Sequence, residues 1–197
     1  MLSAQCAFVR GAKRVIMVDK VPFRLRFAKE KVDSRIETVD ISNGEKGEAK
    51  VLELCKNEPA GAPDCVIEAV GFHYCNSALH RFEMAVGAET DSPEALNSAL
   101  FAVKKCGRVA AIGAYAGLAN HFNIGTMMMK SVTIATGPVF VQRYWKKLLE
   151  MVKNKELNPS VIITHHMSLT EAPKAYQKFN DKEVGVVKVV LHPTKVA

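Results

Sequence analysis

Asp19 is the residue whose type and position most clearly invite chemistry. It ends the apolar run Val15-Ile-Met-Val18, and a carboxylate at the end of a buried strand can accept two hydroxyl hydrogen bonds from a ribose. In nucleotide-binding α/β folds such an acid follows a glycine-rich phosphate loop by about 20 residues. Only 18 residues precede Asp19, and they contain no Gly-x-Gly-x-x-Gly after a strand. The expectation is therefore a chain that begins inside a dinucleotide-binding unit, without that unit's first strand and phosphate loop. The alternative for Asp19 is an acid simply solvated at a strand end.

Three further strand-like runs end in glycine: Cys65 to Val70 at Gly71, Arg108 to Ile112 at Gly113, and Ser131 to Thr136 at Gly137. Ligands of open parallel sheets lie outside the carboxyl ends of the strands, and glycine there lets a flat ligand approach the backbone. Each glycine alone is an ordinary turn residue; with Asp19 they make a pattern. Asp19 would repel a 2′-phosphate, which favours NAD over NADP, while Lys20 and Arg24 keep the phosphorylated coenzyme open.

The elements that must position these residues alternate between strand-length apolar runs and helix-period stretches, which argues for βα units and a parallel sheet. Residues 1–10 read as the end of a helix closed by Gly11. Pro22 suits the first turn of a helix with Leu25, Ala28 and Val32 on one face. A strand at Glu37 to Ile41 and a helix at Glu48 to Cys55 follow. The segment from Phe72 to Asp91 is either a partly helical excursion or a loop. Ser92 and Pro93 open a helix bearing Leu96, Ala99, Leu100 and Val103. Val141 to Leu157 is strongly amphipathic, with Trp145, Leu148, Leu149 and Val152 on one side. A strand at Val161 to Thr164, a short helix begun at Thr170, and a last strand at Val186 to Leu191 complete the chain.

The 197 residues, 48% hydrophobic, suit a globular chain with a buried core. No apolar run reaches membrane-spanning length, and the amino-terminal segment does not read as a secretory signal, so a cytoplasmic protein is expected. Of the net charge of +7, much lies between Arg10 and Lys31, where eight basic residues face only Asp19 and Glu30. That patch suits anionic ligands or is a solvated helix face; without interleaved aromatics or a recognition motif it does not argue for nucleic acid. The five cysteines, Cys6, Cys55, Cys65, Cys75 and Cys106, have no metal-ligand spacing and read as reduced thiols.

The string Gly11-Ala-Lys-Arg-Val-Ile-Met-Val-Asp19 with Val21-Pro22-Phe-Arg-Leu resembles the zinc-type alcohol dehydrogenase family of medium-chain dehydrogenases. Cys65-Val-Ile-Glu-Ala-Val-Gly71-Phe72, Gly107-Arg-Val-Ala-Ala-Ile-Gly113 and Lys130-Ser-Val-Thr-Ile-Ala-Thr-Gly137 are similar to three strands of its coenzyme domain. Ile163-Thr-His-His-Met-Ser-Leu169, Glu171-Ala-Pro-Lys-Ala-Tyr176 and Gly185-Val-Val-Lys-Val-Val-Leu191 resemble its closing segment. The excursion after Gly71 and the step Glu89-Thr90-Asp91 look closest to the formaldehyde dehydrogenase-like branch.

The resemblance covers nearly the whole chain but only about the second half of such an enzyme. It implies an α/β fold: an incomplete Rossmann-type parallel sheet over 1–157, and a segment over 158–197 that returns toward a catalytic domain. It implies that Asp19 and Arg24 hold the adenosine ribose and that Val70 and Gly71 line the adenine side. Ile112, Gly113 and Ala114 would flank the nicotinamide half, Ala135 and Gly137 would meet the carboxamide, and Lys188 would approach the pyrophosphate. The family's catalytic zinc is held in the amino-terminal domain, so no catalytic or metal-binding residue is assigned in this chain. The adjacent His165 and His166, and His73, His80 and His121, read as capping, surface or loop residues. Without the phosphate loop, the expected NAD site is weak or partial.

Two functions follow: the coenzyme-binding portion of a zinc-type NAD-dependent alcohol or aldehyde dehydrogenase, or a non-catalytic interaction module. The family's subunits join through the strand matching Ser131 to Thr136, which implies a homo-oligomer, with Met127-Met-Met129 adding apolar surface. A methyltransferase, which also places an acid on a ribose, is disfavoured because the carboxyl-terminal pattern points elsewhere.

Overall fold

Parallel strands need neighbours on both sides and cover on both faces, and the apolar runs of this chain form them as the α/β reading predicts. The computed structural model describes residues 1–71, 77–88 and 90–193. Phe72, His73, Cys75 and Glu89, all named above, lie outside the described residues. The chain forms two units, Met1–Glu45 with Phe140–Ala197, and Lys46–Val139.

In the first unit α1 (Leu2–Val9) leads to β1 (Ile16–Asp19). This strand pairs in parallel with β2 (Glu37–Asp40), in a register that sets Asp19 beside Asp40. The Asp19 carboxylate accepts the Val21 N–H at 2.9 Å, and Pro22, with its φ preset, opens α2 (Pro22–Phe27), which relaxes into a π-turn at Ala28–Val32. Ala4, Ala28 and Ile36 are buried here, with Phe8, Val15, Met17 and Val32 packed on them. Arg14 grips Glu37 with two hydrogen bonds, at 2.5 and 2.7 Å.

The expected strand at Val161 to Thr164 lies further along the chain. Pro159, which lacks an N–H, opens a 3-10 turn at Pro159–Ile162, and β6 is His165–Ser168. It pairs in parallel with β7 (Val189–His192). The Thr164 hydroxyl accepts the N–H groups of Val187 and Lys188, at 3.0 and 3.3 Å, so a side chain ties the two segments just before the ladder begins. His165 and His166 are thus strand residues, and the ring of His166 reaches that of His192 at 2.8 Å. Between these strands lies α8 (Ala172–Asn180), entered through a capping box of Ser168 and Glu171. Helix α7 (Val141–Lys153) forms as its periodicity predicts, and its stripe of Tyr144, Trp145, Leu148 and Leu149 is exposed.

The second unit holds a three-stranded parallel sheet in the order β3 (Cys65–Glu68), β4 (Arg108–Ala111), β5 (Thr133–Thr136). Helices α3 (Gly47–Cys55), α4 (Ala78–Ala85), α5 (Glu94–Ala102) and α6 (Ile124–Met129) accompany it. Helix α4, capped by Ser77, answers the partly helical alternative for the excursion. Helix α5 starts one residue later than expected, with Pro93 at the cap position and the Ser92 hydroxyl accepting the Glu94 N–H at 3.3 Å. Leu100, Val103 and Val109 are almost wholly buried and form the core with Ala99. The Lys130 ammonium closes the far end of α5 by donating to the carbonyls of Leu100, Phe101 and Val103 at 2.7–3.1 Å. A cation there satisfies carbonyls that a helix end leaves open and opposes the helix dipole. Cys6, Cys55, Cys65 and Cys106 are not joined in disulfides.

Two outcomes test this architecture. Lys130→Met removes the charged cap of α5 and is expected to destabilise the second unit by about 1–3 kcal/mol in a denaturant melt, because charged hydrogen bonds to otherwise open carbonyls are lost. Glu37 is held below its usual range, mainly by the hydrogen bond from Arg14. That contribution is complete above pH 4.5, the ordinary glutamate value, and fades as pH falls through the lower folded value. Thermal melts from pH 6 to 3 should therefore show a smaller acid-induced loss in Arg14→Met than in the native chain.

Candidate functional site

One local device recurs at the strand ends. Asp19, Asp40 and Glu68 are the last residues of β1, β2 and β3, and each accepts the backbone N–H two residues ahead, at 2.9, 2.7 and 2.6 Å. The carboxylate thereby turns the chain out of the sheet and fixes its own direction.

In the first unit this leaves Asp19 partly exposed at the carboxyl end of β1. Arg24 lies in α2 just beyond, also partly exposed. Asp40 is the functional candidate that the sequence reading passed over; the signal was an acid closing Thr38-Val39, the same pattern that identified Asp19. A cavity of about 250 Å³ opens between α2 and β2, lined among others by Pro22, Leu25, Arg26, Lys29, Thr38 and Asp40. Neither Asp19 nor Arg24 lines it. Lys188 has its carbonyl bound by the N–H groups of Thr164 and His165, and its side chain is exposed.

In the second unit the predicted residues gather more tightly. Val70, Gly71 and Ala114 line one small recess at the carboxyl ends of β3 and β4, together with Asp91, Ser92 and Tyr115. Gly113 stands beside it for a steric reason. A Cβ there would strike the Val70 carbonyl and lie 2.5 and 2.7 Å from the two carboxylate oxygens of Glu68. Ile112 is 60% exposed. Ala135 sits in β5 opposite Ala110, and Gly137 follows that strand; neither lines the recess.

Glu68, Asp91 and Tyr115 carry charge and hydrogen-bonding capacity that the sequence reading did not single out. Glu68 and Asp91 are each only 4% exposed. Asp91 accepts the N–H groups of Ala116 and Gly117, both at 2.7 Å, and the Thr90 hydroxyl accepts that of Leu118 at 2.8 Å. The loop after β4 is thus clamped onto residues 90 and 91, so tightly that a Cβ on Gly117 would collide with the Thr90 hydroxyl. Glu68 is buried, with one oxygen accepting the Val70 N–H and the Tyr115 hydroxyl within hydrogen-bonding reach of the carboxylate. The Tyr115 phenol is pushed well above its usual range, first by burial, then by the charge of Glu68 and by the hydrogen bond it donates to that carboxylate, with Asp91 adding to the effect. Elsewhere in the unit Glu83 lies between two imidazoles, 3.0 Å from His121 and 3.7 Å from His80. Among the described residues no group of three or more His, Cys, Asp or Glu is arranged to hold a metal ion, and no helix is long and apolar enough to cross a membrane.

Gly113→Ala is expected to lower stability by about 1–3 kcal/mol through overpacking. Gly125→Ala, whose added carbon meets only Asn123 at 3.7 Å, is the near-neutral control in the same melt.

No protein-family profile matches the chain. A zinc-type alcohol dehydrogenase-like protein of Schizosaccharomyces pombe is 35% identical over 196 residues, which are 99% of this chain and 45% of the relative. A second zinc-type alcohol dehydrogenase-like protein, from Bacillus subtilis, is 32% identical over 98% of this chain and 50% of its own length. Among solved structures, an alcohol dehydrogenase from Thermus sp. ATN1 superposes with a TM-score of 0.70 at 27% identity, covering 96% of this chain and 46% of that one. Two structures at 18% and 23% identity share the fold, one from Escherichia coli complexed with NADH and one from Sinorhizobium meliloti bound to NADP. The chain spans about half the length of the relatives it matches. It is a homologue of the zinc-type alcohol dehydrogenases and corresponds to the coenzyme-binding half of that family.

Proposed function

We propose that this chain is the coenzyme-binding portion of an NAD-dependent alcohol or aldehyde dehydrogenase of the zinc type. The observation that carries the proposal is the set of parallel strand ends. They bear a ribose-type acid, Asp19, in one unit and bare glycine backbone beside a recess in the other. In this reading Asp19 and Arg24 bind the adenosine ribose, Val70 and Gly71 line the adenine side, and Ile112, Gly113 and Ala114 flank the nicotinamide. Ala135 and Gly137 offer backbone to the carboxamide, and Lys188 offers charge to the pyrophosphate. Asp19 fits a ribose: one oxygen is fixed by Val21, which sets the carboxylate's orientation for a diol. A zinc ion has no comparable fit among the described residues, so the roles that fall to these side chains are binding and orientation. The bound coenzyme would supply hydride acceptance. Within the second unit, the clamped loop after β4 would keep the strand-end glycine backbone in place for it.

A second reading has its own support. Among the described residues strand β5 pairs with β4 alone, and Met128 and Met129 before it are 71% and 82% exposed. An open parallel edge beside flexible apolar side chains suits pairing with a second copy of the chain, in a non-catalytic or assembled form.

Calorimetric titration with NADH and with NADPH checks the first reading. Saturable binding is expected, tighter for NADH, because Asp19 repels a 2′-phosphate. Asp19→Ala should weaken NADH several-fold while narrowing the gap to NADPH. No saturable response to either coenzyme would remove the coenzyme reading and leave the assembly reading, which a dimer mass in dilute solution would support.

A further inference from the structure

The cavity between α2 and β2 in the first unit takes in none of the residues assigned to the coenzyme, and two periodicities set its walls. Pro22, Leu25, Arg26 and Lys29 lie at i, i+3, i+4 and i+7, on one face of the helical segment. Thr38 and Asp40 alternate along β2 with the buried Val39, so they share the opposite face of that strand. The space between is about 250 Å³, on the order of eight times the volume of a water in the liquid. Leu25, almost wholly buried, and Pro22 give it an apolar side. Lys29 and Glu30 belong to the π-turn, and such turns are rare in helices and occur frequently at functional sites.

Charge decides what fits. Arg26 and Lys29 are cationic and Glu30 and Asp40 anionic, so the lining carries both signs in equal number. Arg26 is exposed and has no ion-pair partner among the described residues. Asp40 is oriented by the Ser42 N–H, which it accepts at 2.7 Å. A phosphate or a dicarboxylate would meet the two acids, and a diamine the two cations. A small molecule with one carboxylate and one ammonium answers both walls, because charge-assisted hydrogen bonds are the strong ones. An apolar side chain on it would lie against Leu25 and Pro22. We propose that the α2–β2 cavity binds a free amino acid with an apolar side chain, its carboxylate at Arg26 and Lys29 and its ammonium at Asp40 beside the Thr38 hydroxyl. Part of the basic stretch from Arg10 to Lys31 thereby serves a zwitterion, at a site separate from that of the coenzyme.

The test is an amide-resolved NMR titration of the full chain with L-leucine. Two analogues accompany it: 4-methylpentanoate, which lacks the ammonium, and 3-methylbutylamine, which lacks the carboxylate. L-leucine is expected to give saturable shifts at the amides of Lys29, Thr38 and Asp40, with an affinity about tenfold above either analogue, the size of one charged contact. Arg26→Gln, at an exposed position, is expected to weaken L-leucine about tenfold and to leave 3-methylbutylamine unchanged. No saturable shift with L-leucine, equal binding of the analogues, or an Arg26→Gln chain that binds L-leucine as the native chain does would overturn the proposal. Inorganic phosphate that moves the same amides at lower concentration than L-leucine would also overturn it, and would make the cavity an anion site. Shifts there with NADH but not with L-leucine would overturn it in favour of the coenzyme.

Discussion

Three parallel strands of this chain end on a carboxylate that folds back onto its own backbone, and much of the rest depends on that contact. Asp19, Asp40 and Glu68 each take up the N–H two residues ahead. Where a parallel strand leaves its sheet, the next amide loses its ladder partner and must find another. An acid in the last strand position supplies that partner and directs the chain outward. One carboxylate oxygen is thereby committed to structure, and the other is set by the strand. At β1 the acid stands partly exposed; at β3 it is enclosed.

The difference between those two acids comes from what is packed around them. At β3 the loop after β4 is drawn down by the Thr90 and Asp91 clamp, and Gly113 offers no side chain to displace it. Enclosure follows, and with it the raised phenol of Tyr115, held against the Glu68 carboxylate. The sheet beneath is steadied from its other side, where Lys130 closes α5 over Leu100 and Val103. The recess is polar because the strand-end device places an acid there, and it is closed because the neighbouring loop is hydrogen-bonded in place.

Much of the fold was legible in the sequence, since strand and helix periods were unambiguous in Val15 to Asp19, Cys65 to Glu68 and Val141 to Lys153. Boundaries failed where a side chain imitates backbone. Thr164 ties the two segments before the ladder starts and Pro159 opens a tight turn, so the strand near residue 163 falls at His165–Ser168. Asp19 could be recognised because an acid closing an apolar run is a local pattern. Asp40 closes a strand of the same length but more mixed in polarity, Glu37-Thr38-Val39, so its apolar run is less evident. Asp91 and Tyr115 had no local signal, for their roles arise from contacts made across more than twenty residues of sequence.

The sequence by itself determined the parallel α/β class, the strand-terminal acid at Asp19, the glycines at 71, 113 and 137, and the kinship with zinc-type alcohol dehydrogenases. These depend on periodicity and on residues close together along the chain. Only the tertiary structure decided which acids are buried, what each carboxylate meets there and which loop closes over it. Burial and hydrogen-bond satisfaction depend on segments brought together from distant parts of the chain, and no local pattern encodes them.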